Sequence, residues 1–312
     1  MNIYADNGVY CLKPIKYAYG HFMFILAAME HLINKGFDSV PPIITTLKRD
    51  KHIVLGDTRA YLTPWLSGRE SSYDNPYDLE VVASALARLH KYSEGFTLER
   101  DMKPRIGWFR WIRNFQIRSE EILDFAKRIE QKYFKSEFDN IYLKLMKKEL
   151  EIAESAINHL KELNYYTAMD RYFFKRGFCH HDYAHHNVLL REDGKVAVID
   201  FDYCILDCHL HDLSSLLLRV MKNGKWEWER AEPILKSYDK FNNLYEEDIP
   251  LMAAFMEFPQ DYWQIGIQYY WEQQPWEEEF FINKLMKIKE DIEDKQEFIK
   301  EFSKYKYYGG KP

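Results

Sequence analysis

Asp182, Asn187 and Asp200 are the side chains of this sequence best suited to chemistry. They stand in the run His180-His181-Asp182-Tyr183-Ala184-His185-His186-Asn187 and in the later run Val196-Ala197-Val198-Ile199-Asp200-Phe201-Asp202. An aspartate followed by an asparagine, then a short apolar strand ending in a second aspartate, supplies the oxygen side chains that phosphoryl transfer requires. The first carboxylate can take or orient a hydroxyl proton, while the asparagine and the second carboxylate can hold Mg2+ on the phosphates of ATP. His-x-Asp-x4-Asn alone is a weak signal. Its context narrows it: Val188 to Leu190, the Glu192-Asp193-Gly194 turn and Val196 to Ile199 predict a β-hairpin with Asn187 at one end and Asp200 at the other.

Upstream elements must position a phosphate contact. Asn2 to Ala5, a turn at Asp6-Asn7-Gly8 and Val9 to Lys13 predict a hairpin that ends on Lys13. Apolar residues at Phe22, Ile25, Leu26, Met29, Leu32 and Ile33 recur at helical spacing from Gly20 to Lys35 and place Glu30 within that helix. A strand-borne lysine and a helix-borne glutamate suit a pair in which Glu30 steadies the Lys13 ammonium against the α- and β-phosphates. The bland alternative is a surface lysine and a solvated glutamate. Ile43 to Thr46 and His52 to Leu55 predict short strands. Ala60 to Leu66 predicts a last strand whose Pro64 and Trp65 sit at a hinge, where backbone groups can meet an adenine edge.

The remaining chain is helical in pattern. Leu79, Val82, Leu86 and Leu89 mark one helix, Arg110 to Phe134 and Phe138 to Leu163 two longer ones, and Leu213 to Met221 another with Asp212 at its start. Most of the segment from Arg230 to Tyr305 follows the same period, broken by prolines. The 312 residues are 46% hydrophobic, enough for one large core or two lobes, and a net charge of -6 without a long basic block argues against a nucleic-acid partner. No apolar run reaches membrane-span length, and the first residues lack the pattern of a signal peptide, so synthesis in the cytoplasm is expected. Four irregularly placed cysteines fit reduced thiols. A zinc reading of Cys204, Cys208, His209 and His211 lacks the two well-spaced ligand pairs of a closed site, and the cysteines read better as small buried fillers.

The run Ile199-Asp-Phe-Asp-Tyr-Cys-Ile-Leu-Asp-Cys-His-Leu-His-Asp-Leu213 resembles the CotS-type spore coat proteins, a branch of the aminoglycoside phosphotransferase and choline kinase-like superfamily. Leu12-Lys13-Pro14, Leu86 to Lys91 with Glu94-Gly95-Phe96, Gly107-Trp108, Phe258-Pro259-Gln260 and Gln268 to Tyr270 carry the same resemblance across nearly the whole chain. The resemblance implies an α+β, two-lobed protein-kinase-like fold, with a small β-rich N-lobe over residues 1–66 and a large, mostly helical C-lobe over residues 67–312. It implies a sporulation setting, attachment to the spore coat and other coat proteins as partners. By residue it makes Asp182 the base, Asn187 and Asp200 the metal ligands, Lys13 the phosphate lysine and Glu30 its partner. His180 stands where the kinase loop histidine stands. Asp212 occupies the position that braces the catalytic loop, while an ordinary helix N-cap is its plainer reading.

Kinase-like folds place a strand, a phosphate-covering loop and a second strand before the lysine strand, and the twelve residues ahead of Lys13 are too few for the first strand and the loop, so either the chain starts earlier than Met1 or the nucleotide roof is absent. Two classes therefore stay open. One is a kinase passing the γ-phosphoryl group of ATP to a hydroxyl of a small molecule or protein, and the other is a catalytically inactive kinase-fold component of the coat. An aminoglycoside-type polycationic substrate fits poorly, because no acidic cluster can be assigned to an acceptor pocket. The terminal run from Tyr305 to Pro312, with its phenols, lysines and paired glycines, is expected to be mobile and suited to cross-linking into a coat.

Overall fold

The computed structural model describes residues 1–306. Strand β1 (Asn2–Ala5) turns through Asp6 and Asn7 into β2 (Gly8–Pro14), helix α1 (Tyr19–Asn34) follows, and β3 (Ile53–Leu55) and β4 (Thr58–Pro64) complete an antiparallel sheet ordered β1-β2-β4-β3. Lys13 lies on β2 opposite Tyr61 of β4. Helix α1 covers the sheet because Phe22, Phe24, Ile25, Leu26, Met29 and Leu32 form a continuous buried face. The strand expected over Ile43 to Thr46 is reduced to an isolated pairing of Ile44 with Leu62. Downstream of that pairing the Thr46 hydroxyl accepts the backbone N–H groups of Lys48 and Asp50, which folds the chain into a turn before a strand can extend.

A second antiparallel sheet, β5 (Arg69–Glu70), β6 (Val188–Leu190) and β7 (Val196–Val198), lies among the helices of the C-lobe. Around it run α2 (Pro76–Ser93), α3 (Trp111–Glu130), α4 (Glu137–Glu162), α5 (Tyr165–Lys175), α6 (Leu210–Met221), α7 (Trp228–Asp239), α8 (Asp248–Glu257), α9 (Gln260–Gly266) and α10 (Glu278–Phe302). The architecture is therefore the two-lobed kinase-like one, a small antiparallel sheet with its helix above a mostly helical lobe. Local signals fix several boundaries. Asn75 accepts the Tyr77 N–H with Pro76 at the first helical position of α2, and Ser136 with Asp139 forms a reciprocal cap on α4. Helix α5 is an element the sequence reading did not separate; it is flanked by Asn164 and Arg176, both left-handed, which makes it a separate segment from α4.

The main core is continuous from α1 into the C-lobe, with Phe24 of α1 packed edge-on to Phe96 and Phe178. A second apolar cluster joins α3, α4, α9 and α10, where Tyr142 and Tyr262 stack at 4.2 Å. At the chain's far end Tyr305 packs on Trp228 with ring centroids 4.2 Å apart and donates to Glu232, so this tyrosine is docked. The rest of the tail expected to serve in cross-linking, residues 307–312, lies outside the described residues.

Gly107 is a place where close approach requires glycine. Its N–H donates to Leu206 O, and a Cβ there would lie 2.4 Å from the Asp207 carboxylate, which is buried and bonded to the Cys208 N–H. Gly107→Ala is expected to cost about 1–3 kcal/mol through overpacking. The check is the urea midpoint at constant slope, and an unchanged midpoint means that Asp207 moves aside freely.

Candidate phosphotransfer site

The β6–β7 hairpin sets the geometry of the site. Val188 pairs with Val198, and the Ile199 N–H donates to Asn187 O at 3.0 Å, so Asn187 and Asp200 emerge side by side from the two strand ends. Asp182 approaches from the preceding loop. The Asn187 amide donates to the Asp182 backbone oxygen at 2.9 Å and to its carboxylate at 3.3 Å, which leaves the Asn187 side-chain oxygen as the acceptor that can face a cation. His181 and Asp200 both hold positive φ, 68° and 64°. Two such residues on adjoining loops mark backbone held in place by its surroundings.

Asp212 does much of that holding. Its buried carboxylate accepts the backbone N–H groups of His180 at 2.7 Å and His181 at 2.9 Å, together with His90 Nε2 at 3.1 Å. Burial pushes this carboxyl up, but the nearby His211 ring, 3.9 Å away, and the hydrogen bond and charge of His90 outweigh it and hold Asp212 well below the usual aspartate range. The helix-cap reading is thereby corrected: α6 begins at Leu210, and Asp212 lies inside its first turn with the carboxylate turned onto the 180–181 loop. His180 is wholly buried and bonds Ile199 O at 2.9 Å, which ties the loop to β7. Burial holds its imidazole below the ordinary histidine value, so it acts as a neutral strut.

Lys13 crosses from the N-lobe. Its ammonium lies 2.6 Å from Asp200 and 2.9 Å from Asp202, and Tyr17 also donates to Asp202 at 2.9 Å. Burial works against the Asp200 charge, yet the Lys13 hydrogen bond and charge win and keep that carboxyl below its ordinary value. Glu30 does not join them. It pairs with Lys51 at 2.5 Å, and the reason is position along α1. The end of α1 near the site is marked by His21, whose ring contacts Asp202 O, and Glu30 lies about 13 Å farther along the axis at the helical rise per residue. Pro64 ends β4 at the lobe junction, and the Trp65 N–H is taken by Val9 O while its side chain stays half exposed.

Sequence reasoning assigned no role to Asp202, Tyr17 or Arg219. Arg219 of α6 meets the Asp182 carboxylate at 2.9 Å, at the edge of a cavity of about 650 Å³ that runs between α4, α6, α9 and α10. The repeated aspartate in Asp200-Phe201-Asp202 was a visible signal for Asp202, whereas nothing local in the sequence announces Arg219. The zinc reading gains no support from the described residues. Cys204 and Cys208 are buried, and the one compact group of metal-type ligands among those residues, His90, Cys179 and Asp212, is already hydrogen-bonded within the core.

A hairpin-borne asparagine and aspartate, a loop aspartate and a strand lysine thus stand where the two lobes of a kinase-like fold meet. The model of the phosphotransferase enzyme family matches residues 5–247, and the chain belongs to that family. It is similar to Spore coat protein S of Bacillus subtilis (strain 168), at 24% identity over 297 residues covering 95% of this chain and 84% of that protein. Among solved structures it resembles an aminoglycoside phosphotransferase from Alicyclobacillus acidocaldarius with a TM-score of 0.81 at 20% identity, covering 97% and 91% of the two chains. A spectinomycin phosphotransferase in complex with ADP and spectinomycin superposes with a TM-score of 0.67 at 14% identity, covering 95% and 88%. An amicoumacin kinase in complex with AMP-PNP and Ca2+ gives 0.66 at 16% identity, covering 94% and 84%.

Asp212→Asn leaves three donors converging on a single acceptor oxygen, and it is expected to cost about 1.5–3 kcal/mol at neutral pH. Because the folded-state value of Asp212 is depressed, its contribution is present above the unfolded value of about 3.9 and is lost as pH falls below it. Urea midpoints of the two proteins should therefore differ most near neutrality and converge in more acidic buffer. A gap that stays constant would contradict the charged carboxylate.

Proposed function

We propose that this protein is an ATP-dependent phosphotransferase of the spore coat that modifies a hydroxyl on an acceptor bound beside Asp182. The observation that carries the reading is the gathering of Lys13, Asp200, Asn187 and Asp182 about the strand ends of the β6–β7 hairpin, with the cavity beginning at Asp182. The donor set fits a hard cation: the Asn187 amide oxygen and the Asp200 carboxylate are oxygen ligands of the kind Mg2+ takes. Mg-ATP, when bound, supplies the γ-phosphoryl group. Asp182 accepts the proton of the acceptor hydroxyl, Arg219 and the Asn187 amide keep that carboxylate oriented, and Lys13 turns from Asp200 and Asp202 toward the phosphates. At the hinge the Trp65 N–H is committed to β2, so contact with the adenine falls to the Trp65 indole and the exposed edge after Pro64. The coat setting, with other coat proteins as partners, rests on the similarity to Spore coat protein S.

One observation favours the alternative, an inactive kinase-fold component of the coat. Lys13 has both its carboxylate partners on the metal side, while Glu30 is engaged by Lys51, so no helical carboxylate steadies the lysine against phosphates. Thermal unfolding separates the two readings. Saturating Mg-ATP at roughly a hundred times its Kd should stabilise the protein by about 2.7 kcal/mol, and Asp200→Ala should remove the shift. Asp182→Asn should keep the shift while lowering phosphate transfer by about 10²–10⁴-fold. A melting curve indifferent to Mg-ATP supports the inactive component.

A further inference from the structure

The cavity beside Asp182 is lined by five acidic and five basic side chains. At its inner wall stands Glu149 of α4, 3% exposed, with a buried Oε1 that has no hydrogen-bond partner. Burial pushes this carboxyl up to about 7. The neighbouring Lys295 is tied to Phe258 O and is bracketed by Glu149, Asp261, Asp291 and Glu257. Two of those acids are already committed, Glu257 to His159 and Asp291 to the N–H groups of Asn223 and Gly224. An unpaired buried carboxyl is costly, and a ligand donor that meets it recovers that cost.

Three lysines line the cavity as well, with the charge of Asp261 felt at Lys284. Lys222 at the end of α6 and Lys284 and Lys287 of α10 form no ion pair with a carboxylate among the described residues, and the charge of Lys222 helps burial to lower the Lys284 ammonium. Trp226, beside them, has a buried indole N–H without a partner. Three ammonium groups and an idle N–H donor form a seat for an anion.

Building on the phosphotransferase reading, we infer that the acceptor is a hydroxylated zwitterion: its anionic group sits at Lys222, Lys284, Lys287 and Trp226, its ammonium meets Glu149, and its hydroxyl lies at Asp182. The three contacts fall on different walls of one cavity of about 650 Å³, a size that suits a small organic molecule. A polycation is disfavoured, because it brings like charge against the lysines without enough free carboxylate to compensate.

Calorimetric titration without nucleotide tests the inference with four probes: glucosamine 6-phosphate, glucose 6-phosphate, glucosamine and kanamycin. Glucosamine 6-phosphate should bind at least about tenfold more tightly than any of the other three. Lys222→Ala combined with Lys287→Ala should weaken both phosphate-bearing probes by about tenfold and spare glucosamine, while Glu149→Gln should weaken glucosamine 6-phosphate and spare glucose 6-phosphate. Binding of kanamycin as tight as that of glucosamine 6-phosphate, no binding by any probe, or indifference to the lysine substitutions overturns the inference. Because the readout is binding alone, a protein that binds as expected yet transfers no phosphate refutes only the phosphotransferase reading.

Discussion

A single buried carboxylate holds the loop of His180, His181 and Asp182 in register. Asp212 gathers two consecutive backbone N–H groups from His180 and His181 and the ring of His90, and so joins the loop to α6 and α2. Through His90 and Tyr238 the same network reaches α7, since His90 Nδ1 and the tyrosine hydroxyl are 2.7 Å apart and that hydroxyl also contacts His209. Placing an ionised carboxylate in a core is costly, and the cost is met only because each of its bonding directions is filled. The left-handed His181 persists under that constraint and turns the chain so that Asp182 points out of the core toward Asn187 and Arg219.

The second constraint is charge balance where the lobes meet. Asp200 and Asp202 stand close together and repel, and Lys13 is the cation within ion-pair distance of both among the described residues. The Tyr17 phenol adds a donor, and burial with the charge of Asp202 pushes its ionisation so high that it remains one at any working pH. Lys13 is thus both a lobe-to-lobe latch and a placeholder for positive charge. A cation at Asp200 and Asn187 would relieve the same repulsion and free the ammonium, so occupancy of the site and the lobe contact are linked by electrostatics.

What the sequence made legible follows from how local each signal is. The hairpin carrying Asn187 and Asp200 was readable because apolar strands and a Gly-containing turn encode it within a dozen residues or so. Helix α1 was readable to within a residue at either end, yet the partner of Glu30 was not, because helical periodicity fixes which face is buried and says nothing of which loop folds over the other face. The Asp212 role was half legible: its type and place before an apolar helix suit a cap equally well, and only the path of the 180–181 loop decides where the carboxylate turns. Arg219 and the cavity beyond it were invisible, since their neighbours come from helices distant in sequence.

That last gap has a physical origin. The proposed alignment of a phosphate lysine, two cation ligands and a base rests on the hairpin, its bracing carboxylate and the N-lobe sheet. The cavity is walled by α4, α6, α9 and α10, whose inward side chains can change sign without disturbing any of those parts. Similarity to phosphotransferases solved with a bound antibiotic therefore establishes the fold and leaves the acceptor to be read from the cavity itself. The zwitterionic acceptor inferred for this chain accordingly rests on the cavity's own charges, an idle buried carboxyl and lysines without a carboxylate partner among the described residues.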